Sequence, residues 1–360
     1  MKFYKRSQTR KINIGSVTIG EGTPIKIQSM TSANSRDWKS TVKQIKQLEE
    51  AGCELIRVSF PDMESAMNAG KIKKHIKIPL IADIHFDYRI ALETIKQGVD
   101  KLRINPGNIG SQDKLKILIK EAKKAHIPIR IGVNAGSLKG VYNFSDNFIR
   151  AKALVNSAME HIKILEKHNF QDIVVSLKAS SIDVTVQAYK MFASKRNYPL
   201  HLGITEAGSV FGGTIKSSAG LGIMLYEGIG DTVRVSLTAD PVEEVKAAYY
   251  ILQSMELRNS GIEIVSCPMC SRCEFDLIKI VSEVERKAST MKNLRKLSKP
   301  VKIALMGCIV NGLGEAKDAD FGIAGGKNTG ILFKKGKIIG RVSPDKWADK
   351  IISMIKNYMT

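Results

Sequence analysis

Short runs of apolar and β-branched residues alternate along the first two thirds of the chain with longer stretches whose apolar positions recur every three or four residues. The short runs are PIKIQSM (24–30), ELIRVS (54–59), PLIADI (79–84), DKLRIN (100–105), PIRIGV (128–133), DIVVSLK (172–178), PLHLGI (199–204) and TVRVSL (232–237). Stretches such as STVKQIKQLEEAG and PVEEVKAAYYILQSMEL lie between them and read as amphipathic helices. Pro or Asp opens many of the strands, and Gly closes several of the helices. Eight such units in about 250 residues predict a (β/α)8 TIM barrel. The rival is a doubly wound open sheet, which has fewer strands and a glycine fingerprint after the first one. That fingerprint is missing here.

Past the eighth unit the pattern changes. NSGIEIVSC begins a strand, DLIKIVSEVERKASTMKN reads as a helix and LRKLSKP as a basic, turn-rich loop. VKIALMG is a further strand, GILFKKGKIIGRV a hairpin around Lys335 and Gly336, and SPDKWADKIISMIKNYM a capped final helix. The expected organisation is a barrel over residues 1–258, which binds substrate, and a small α/β domain over 259–360.

With 43% apolar and 25% charged residues the composition is that of an ordinary globular α/β protein. The N-terminal MKFYKRSQTRKINIGSV is basic with no apolar run behind it, so neither a secretory signal nor a membrane anchor is expected. No later run is long enough to span a bilayer, and the cytoplasm is the expected location. The net charge of +21 suggests nucleic acid at first sight. However, the lysines are spread over helical stretches such as KILIKEAKKAHIP, as solvated faces are, and no nucleic-acid motif accompanies them. A polyanionic small substrate or an acidic partner protein suits the same field.

In barrel enzymes the chemistry sits at the C-terminal ends of the strands. Here those ends carry Arg57, Arg103, Arg130, Lys178 and Arg234, five cations late in five strands. Few carboxylates are at hand to offset them: Asp83, and Glu206 just past the seventh strand. An unpaired buried charge costs several kcal/mol, so an anionic ligand is the simplest partner, and the guanidinium fork suits phosphate oxygens. So many cations point to two phosphoryl groups. Asn105, Asn108, Asn134, Ser137 and Ser236 add neutral donors, and the turn ADIHFDYR brings Asp83, His85, Asp87 and Arg89 together. With His201 and Glu206 these offer acid–base candidates, although either histidine can equally be structural.

The five cysteines are unevenly distributed. Cys53, at the head of an apolar run, reads as core packing. Cys267, Cys270 and Cys273 are spaced by two residues, and Cys308 follows in MGCIVNGLGEA. In a cytosolic protein this is metal-binding spacing, equally open to zinc and to iron–sulfur. The loop after Cys308 favours the second: Asn311, Gly312 and Gly314 let backbone approach closely, and Glu315 supplies a carboxylate. A structural zinc site has no use for that oxygen, whereas a cluster with one weakly held corner does.

Taken together, QSMT (28–31), IPLIADIHFDYRIAL (78–92), KLRINPGNIG (101–110), IRIGVNAGSL (129–138), VVSLKAS (174–180), YPLHLGITEAG (198–208), GIGDTVRVSLTADP (228–241), SCPMCSRCEFD and GCIVNGLGEA closely resemble the 4-hydroxy-3-methylbut-2-enyl diphosphate synthase family in its short bacterial form. The resemblance implies an iron–sulfur oxidoreductase of non-mevalonate isoprenoid biosynthesis. Such an enzyme reductively opens 2-C-methyl-D-erythritol 2,4-cyclodiphosphate to the linear diphosphate. It implies a 4Fe–4S cluster on Cys267, Cys270, Cys308 and Glu315, reduced by flavodoxin or ferredoxin. Diphosphate contacts carry over to Arg57, Arg103, Asn105, Arg130, Asn134, Lys178, Arg234 and Ser236, with Asp83 and His85 beside them. Glu206 matches the family's carboxylate for proton transfer, and Glu315 has a second, catalytic role. A homodimer is implied, one chain's cluster domain closing the other's barrel. The sequence departs from the family pattern at three points. Cys273 stands where no thiol is needed, Leu313 replaces a usual proline, and Asn34 replaces a common aspartate.

Overall fold

The computed structural model describes residues 8–105, 109, 111–138, 146–258, 261–273, 275–289, 291, 294, 300–308, 314, 316–326 and 329–359. Its internal contacts divide the chain into Met1–Arg258 and Asn259–Thr360.

The first unit opens with a hairpin that the alternation of short runs did not reveal, β1 (Ile12–Ile14) and β2 (Val17–Ile19), paired antiparallel. Each strand is only three residues long, too short for a period-two signal to stand out. Eight parallel strands follow among the described residues: β3 (Lys26–Met30), β4 (Leu55–Ser59), β5 (Leu80–Asp83), β6 (Lys101–Ile104), β7 (Ile129–Asn134), β8 (Ile173–Lys178), β9 (His201–Leu202) and β10 (Thr232–Val233). All eight expected strands are present. Their order β8-β7-β6-β5-β4-β3-β10-β9 closes on itself where Val175 bridges Leu200 in parallel. The fold is a (β/α)8 barrel.

Helices alternate with the strands. After β3 comes α1 (Trp38–Glu50), and after β4 come two short helices, α2 (Met63–Met67) and α3 (Ala69–His75), where sequence periodicity marked nothing. Then follow α4 (Tyr88–Lys96), α5 (Gln112–Lys124), α6 (Asn147–Lys167), α7 (Ile182–Ala193), α8 (Val210–Tyr226) and α9 (Pro241–Ser254), one per strand. Several starts are fixed by side chains that accept orphan amide protons: Asp37 for α1, Asp87 for α4, Asp146 for α6 and Ser181 for α7. α9 adds Pro241 at its first turn behind Asp240, with Glu243 and Glu244 favoured by the helix dipole. The apolar faces of these helices and the outward residues of the strands make one core, which includes Cys53 as expected.

The hairpin closes the N-terminal end of the barrel. Ile12, Ile14 and Ile19 pack against Leu55, Ile81 and Val174 as a separate apolar cluster. An apolar floor thereby covers the strands' N-terminal ends.

The second unit is a five-stranded sheet among the described residues, ordered β11 (Ile262–Ser266), β12 (Val301–Met306), β13 (Phe321–Gly326), β14 (Thr329–Lys334) and β15 (Lys337–Val342). The first three run parallel and the last two return antiparallel. The expected hairpin is β14–β15, with Lys335 and Gly336 both at positive φ in its turn. β13 had no counterpart in the sequence reading, because its FGIAGG is too glycine-rich to signal a strand. β12 shows why the sheet holds. Ile303 and Leu305 face one core with α10 (Leu277–Ser289) and α11 (Trp347–Met359), while Ala304 and Met306 face the other side. The basic stretch LRKLSKP lies largely outside the described residues, as do Asn108, Asn311, Gly312, Leu313 and Glu315.

Candidate active site

Above the apolar floor the barrel interior turns polar. His201 and Thr232 stand on adjacent strands and join through Nδ1 and Oγ1 at 2.8 Å. Gln28, Lys101, Arg130 and Ser176 are buried with them. Arg57, Asp83, Arg103, Lys178 and Arg234 extend this polar interior toward the mouth, with Arg103 level with Arg130.

All five expected cations belong to the barrel, but two are placed differently. Arg130 is the second residue of β7, not a late one, and Arg234 stands just beyond the short β10. The stagger of a closed barrel corrects for this: Arg103 and Arg130 are register partners, so an early residue on one strand shares a level with a later one on its neighbour. Two glycines make room for the long side chains. A Cβ at Gly132 would lie 2.7 Å from Nε of Arg103, and one at Gly203 would lie 2.5 Å from Nζ of Lys178.

The carboxylates number fewer than the cations. Asp83 Oδ1 accepts from Arg103 at 3.1 Å, and its Oδ2 stands 3.8 Å from Arg57 Nε and 3.3 Å from His85 Nε2. Burial opposes ionisation of Asp83, but Arg57, the His85 hydrogen bond and Arg103 outweigh it and hold the carboxyl well below the usual range. The sequence reading missed Glu244, a buried residue of α9. Its carboxylate meets Arg234 Nε at 3.4 Å and accepts from the Leu237 amide at 3.0 Å. Its helical position hid it, since a glutamate in a first turn reads as capping. Met30 was also missed: its sulfur accepts from Arg57 Nε at 3.1 Å and stands 3.6 Å from Arg234.

Among the described residues neither Arg130 nor Lys178 forms an ion pair with a carboxylate, although Asp83 favours the charge on Arg130 from a distance. Burial first, and then Arg57 and Arg103, work against charge on Arg130, and two of its nitrogens have no hydrogen-bond partner. A guanidinium does not shed its proton near neutrality, so this cost stands as a demand for an anion. Arg57, pulled down to about 10 by burial, also remains charged at neutral pH.

The remaining candidates are placed as follows. Asn105 is buried and Asn134 half-buried at the ends of β6 and β7, and Ser236 is half-buried after β10. His85 is exposed, with Arg103 Nη1 3.3 Å from its Nε2. Asp87 is tied to Arg89 at 2.7 Å and caps α4, a structural task. Glu206 is exposed after β9 with φ +54°, a left-handed backbone that is uncommon for a non-glycine residue and recurs at functional sites. Asn34 accepts the Arg36 amide at 3.0 Å in a local turn, which asparagine makes as well as aspartate.

In the second unit Cys267 and Cys308 follow β11 and β12, neighbouring parallel strands. The Gly307 amide donates to Cys267 Sγ at 3.1 Å, and a Cβ at Gly307 would lie 3.4 Å from that sulfur and 3.1 Å from Sγ of Cys273. Arg272 bonds the Cys308 thiol and lies near Cys270, and its pKa is raised by those contacts. Cys267 and Cys273 therefore lie beside Gly307 at the end of β12, and Arg272 lies near both Cys270 and Cys308. Among the described residues no three ligand-type side chains are drawn into metal-holding geometry, and Glu315 lies outside them. Soft thiols from adjacent strand ends, with an amide already aimed at one sulfur, fit an iron–sulfur cluster as a donor set.

Fold and mouth together define a (β/α)8-barrel enzyme. The chain belongs to the GcpE family: residues 9–249 match the GcpE TIM-barrel domain and 263–357 the GcpE protein C-terminal domain. It is 54% identical over 352 residues, 98% of this chain and 99% of the other, to a protein of Thermodesulfovibrio yellowstonii. To a protein of Clostridium acetobutylicum it is 51% identical over 353 residues, 98% of this chain and 99% of the other. Both relatives carry the name 4-hydroxy-3-methylbut-2-en-1-yl diphosphate synthase (flavodoxin). Among solved structures the barrel resembles dihydropteroate synthase of Stenotrophomonas maltophilia, with a TM-score of 0.52 at 11% identity over 69% of this chain and 98% of that one. The enzyme of Yersinia pestis gives 0.51 at 12%, over 69% and 100%. At such identities the likeness concerns the fold alone.

Proposed function

We infer that the chain is 4-hydroxy-3-methylbut-2-enyl diphosphate synthase, an oxidoreductase of isoprenoid biosynthesis. It converts 2-C-methyl-D-erythritol 2,4-cyclodiphosphate, two electrons and two protons to the linear diphosphate and water. The observation that carries this reading is the charge imbalance at the mouth, where Asp83 and Glu244 face Arg57, Arg103 and Arg234 while, among the described residues, neither Arg130 nor Lys178 forms an ion pair with a carboxylate. A diphosphate supplies the missing negative charge in a shape that guanidinium forks can grip. Relatives about half identical over nearly the whole chain support the same substrate.

Arg57, Arg103, Arg130, Lys178 and Arg234 clamp the phosphoryl oxygens, with Asn105, Asn134 and Ser236 as neutral donors. Asp83 and His85 hold Arg103 in place, and through it one face of the substrate. Cys267, Cys270, Cys308 and Glu315 would hold a 4Fe–4S cluster, which would supply electrons singly and a Lewis-acidic iron. Glu206 delivers the proton that lets the departing oxygen leave as water. The electrons come from flavodoxin or ferredoxin, and a net charge of +21 suits an acidic carrier. Location in the cytoplasm accords with the described helices, none of which is long and apolar enough to cross a membrane.

A homodimer completes the reading. α8 exposes Phe211, Ile215, Ile223 and Tyr226, spaced to lie along one side of the helix, as a face that a second copy covers would. The test is anaerobic turnover of the cyclic diphosphate with dithionite and a mediator dye. Consumption of substrate with formation of the linear diphosphate is expected. A reconstituted protein that consumes none refutes the assignment.

A further inference from the structure

Beneath the cation ring lies a group that the reading above does not use. Lys101 opens β6 with its side chain fully buried, and its Nζ has no hydrogen-bond partner. The charges acting on it are those of Arg130 and Arg57, both positive, and His201 stands close enough to feel it in turn. Among the described residues no counter-charge acts on it. β5 presents Ile81 as its register partner, and the Thr232 hydroxyl of β10 is already engaged by His201. The Asp83 carboxylate, one pleat higher on β5, is engaged by Arg103, Arg57 and His85. The floor of Ile12, Ile14 and Ile19 is apolar.

We propose that Lys101 is the charge-compensating residue of the diphosphate site: an uncharged amine in the free protein, it takes up a proton when the substrate's anionic groups enter the mouth above it. A buried ammonium among like charges is disfavoured by desolvation and by repulsion, and both push Lys101 well below the ordinary lysine range. Gln28 and His201, also buried in the barrel, have side-chain atoms with no hydrogen-bond partner among the described residues. A diphosphate brings several negative charges at once and reverses the sign of the local field. Ligand binding and protonation are then linked, each favouring the other. The proton comes from solvent, no bond to carbon changes, and Lys101 never touches the reacting atoms. This inference rests on the diphosphate reading of the mouth.

Two measurements test it. In protein labelled with 13C-lysine, the Cε resonance that disappears in Lys101→Arg is assigned to Lys101. At pH 7.5 without ligand it should carry the shift of a neutral amine, and an ammonium shift there overturns the proposal whatever the ligand does. Addition of the cyclic diphosphate should move it to the ammonium position. Calorimetric titration in buffers of different ionisation enthalpy should show the parent taking up about one proton more per ligand than Lys101→Met. Equal uptake in the two assigns the proton to Lys178 or His201 and sinks the role of Lys101. Binding without any change at Lys101 sinks this inference alone, whereas no binding of the cyclic diphosphate sinks both it and the substrate assignment.

Discussion

Arg103 lies directly over Gly132, its Nε only 2.7 Å from where a Cβ at that glycine would stand. The glycine on β7 is thus part of how the arginine on β6 is aimed. Gly132→Ala should push Arg103 out of line and weaken binding of the cyclic diphosphate about tenfold or more, as loss of one charge-assisted hydrogen bond does. Gly203→Ala should act likewise on Lys178. Calorimetric titration checks both, and parent-like affinity in Gly132→Ala contradicts the placement.

Asp83 holds two arginines and a histidine, so Asp83→Asn leaves buried cations unmatched. A loss of about 3–5 kcal/mol in unfolding free energy is expected, read from urea unfolding. Because the folded carboxyl is held well below its unfolded value, its contribution is fully present above about pH 4. It fades progressively as the pH falls from the unfolded value toward the lower folded value. The stability gap between parent and variant should therefore stay flat from pH 7 to about pH 4.5 and narrow below that.

How far the sequence revealed this arrangement depends on the length scale of each signal. Strand identity was legible because runs such as DIVVSLK are long, apolar and bounded, and the cations within them stood out against Val and Ile. Arg130 was assigned to a strand end because sequence does not show barrel stagger, which pairs it with Arg103. Glu244 and Lys101 were passed over for a related reason. One reads as a helix-capping acid and the other as one more lysine among many, and only closure of the barrel turns both inward. The hairpin Ile12–Ile19 was too short to show a period, yet it makes the apolar floor that covers the strands' N-terminal ends.

The cysteines separate by environment. Burial pushes the Cys53 thiol up to about 12, so it stays protonated and enclosed at pH 8. Brief iodoacetamide treatment of cluster-free protein should alkylate Cys270, which is exposed, and leave Cys53 unmodified. Peptide mass spectrometry decides it, and early labelling of Cys53 contradicts the packing.

Cys273 Sγ donates to the Phe275 carbonyl at 3.2 Å, a local bond that uses the thiol without a metal. Cys273→Ser should keep iron near the parent level after anaerobic reconstitution, while Cys308→Ser should lose most of it. Iron per chain and absorbance near about 400 nm, where iron–thiolate clusters absorb, give the answer. Equal loss in both overturns the ligand assignment.

The central claim, that guanidinium groups short of carboxylate partners grip the diphosphate, is tested most directly by equilibrium binding of the cyclic diphosphate across a range of salt concentrations. Parent, Arg103→Ala and Arg234→Ala should be compared. Affinity should fall as salt rises, and each alanine should weaken binding about tenfold or more at low salt. Affinity that ignores salt and is the same in all three proteins would contradict the account.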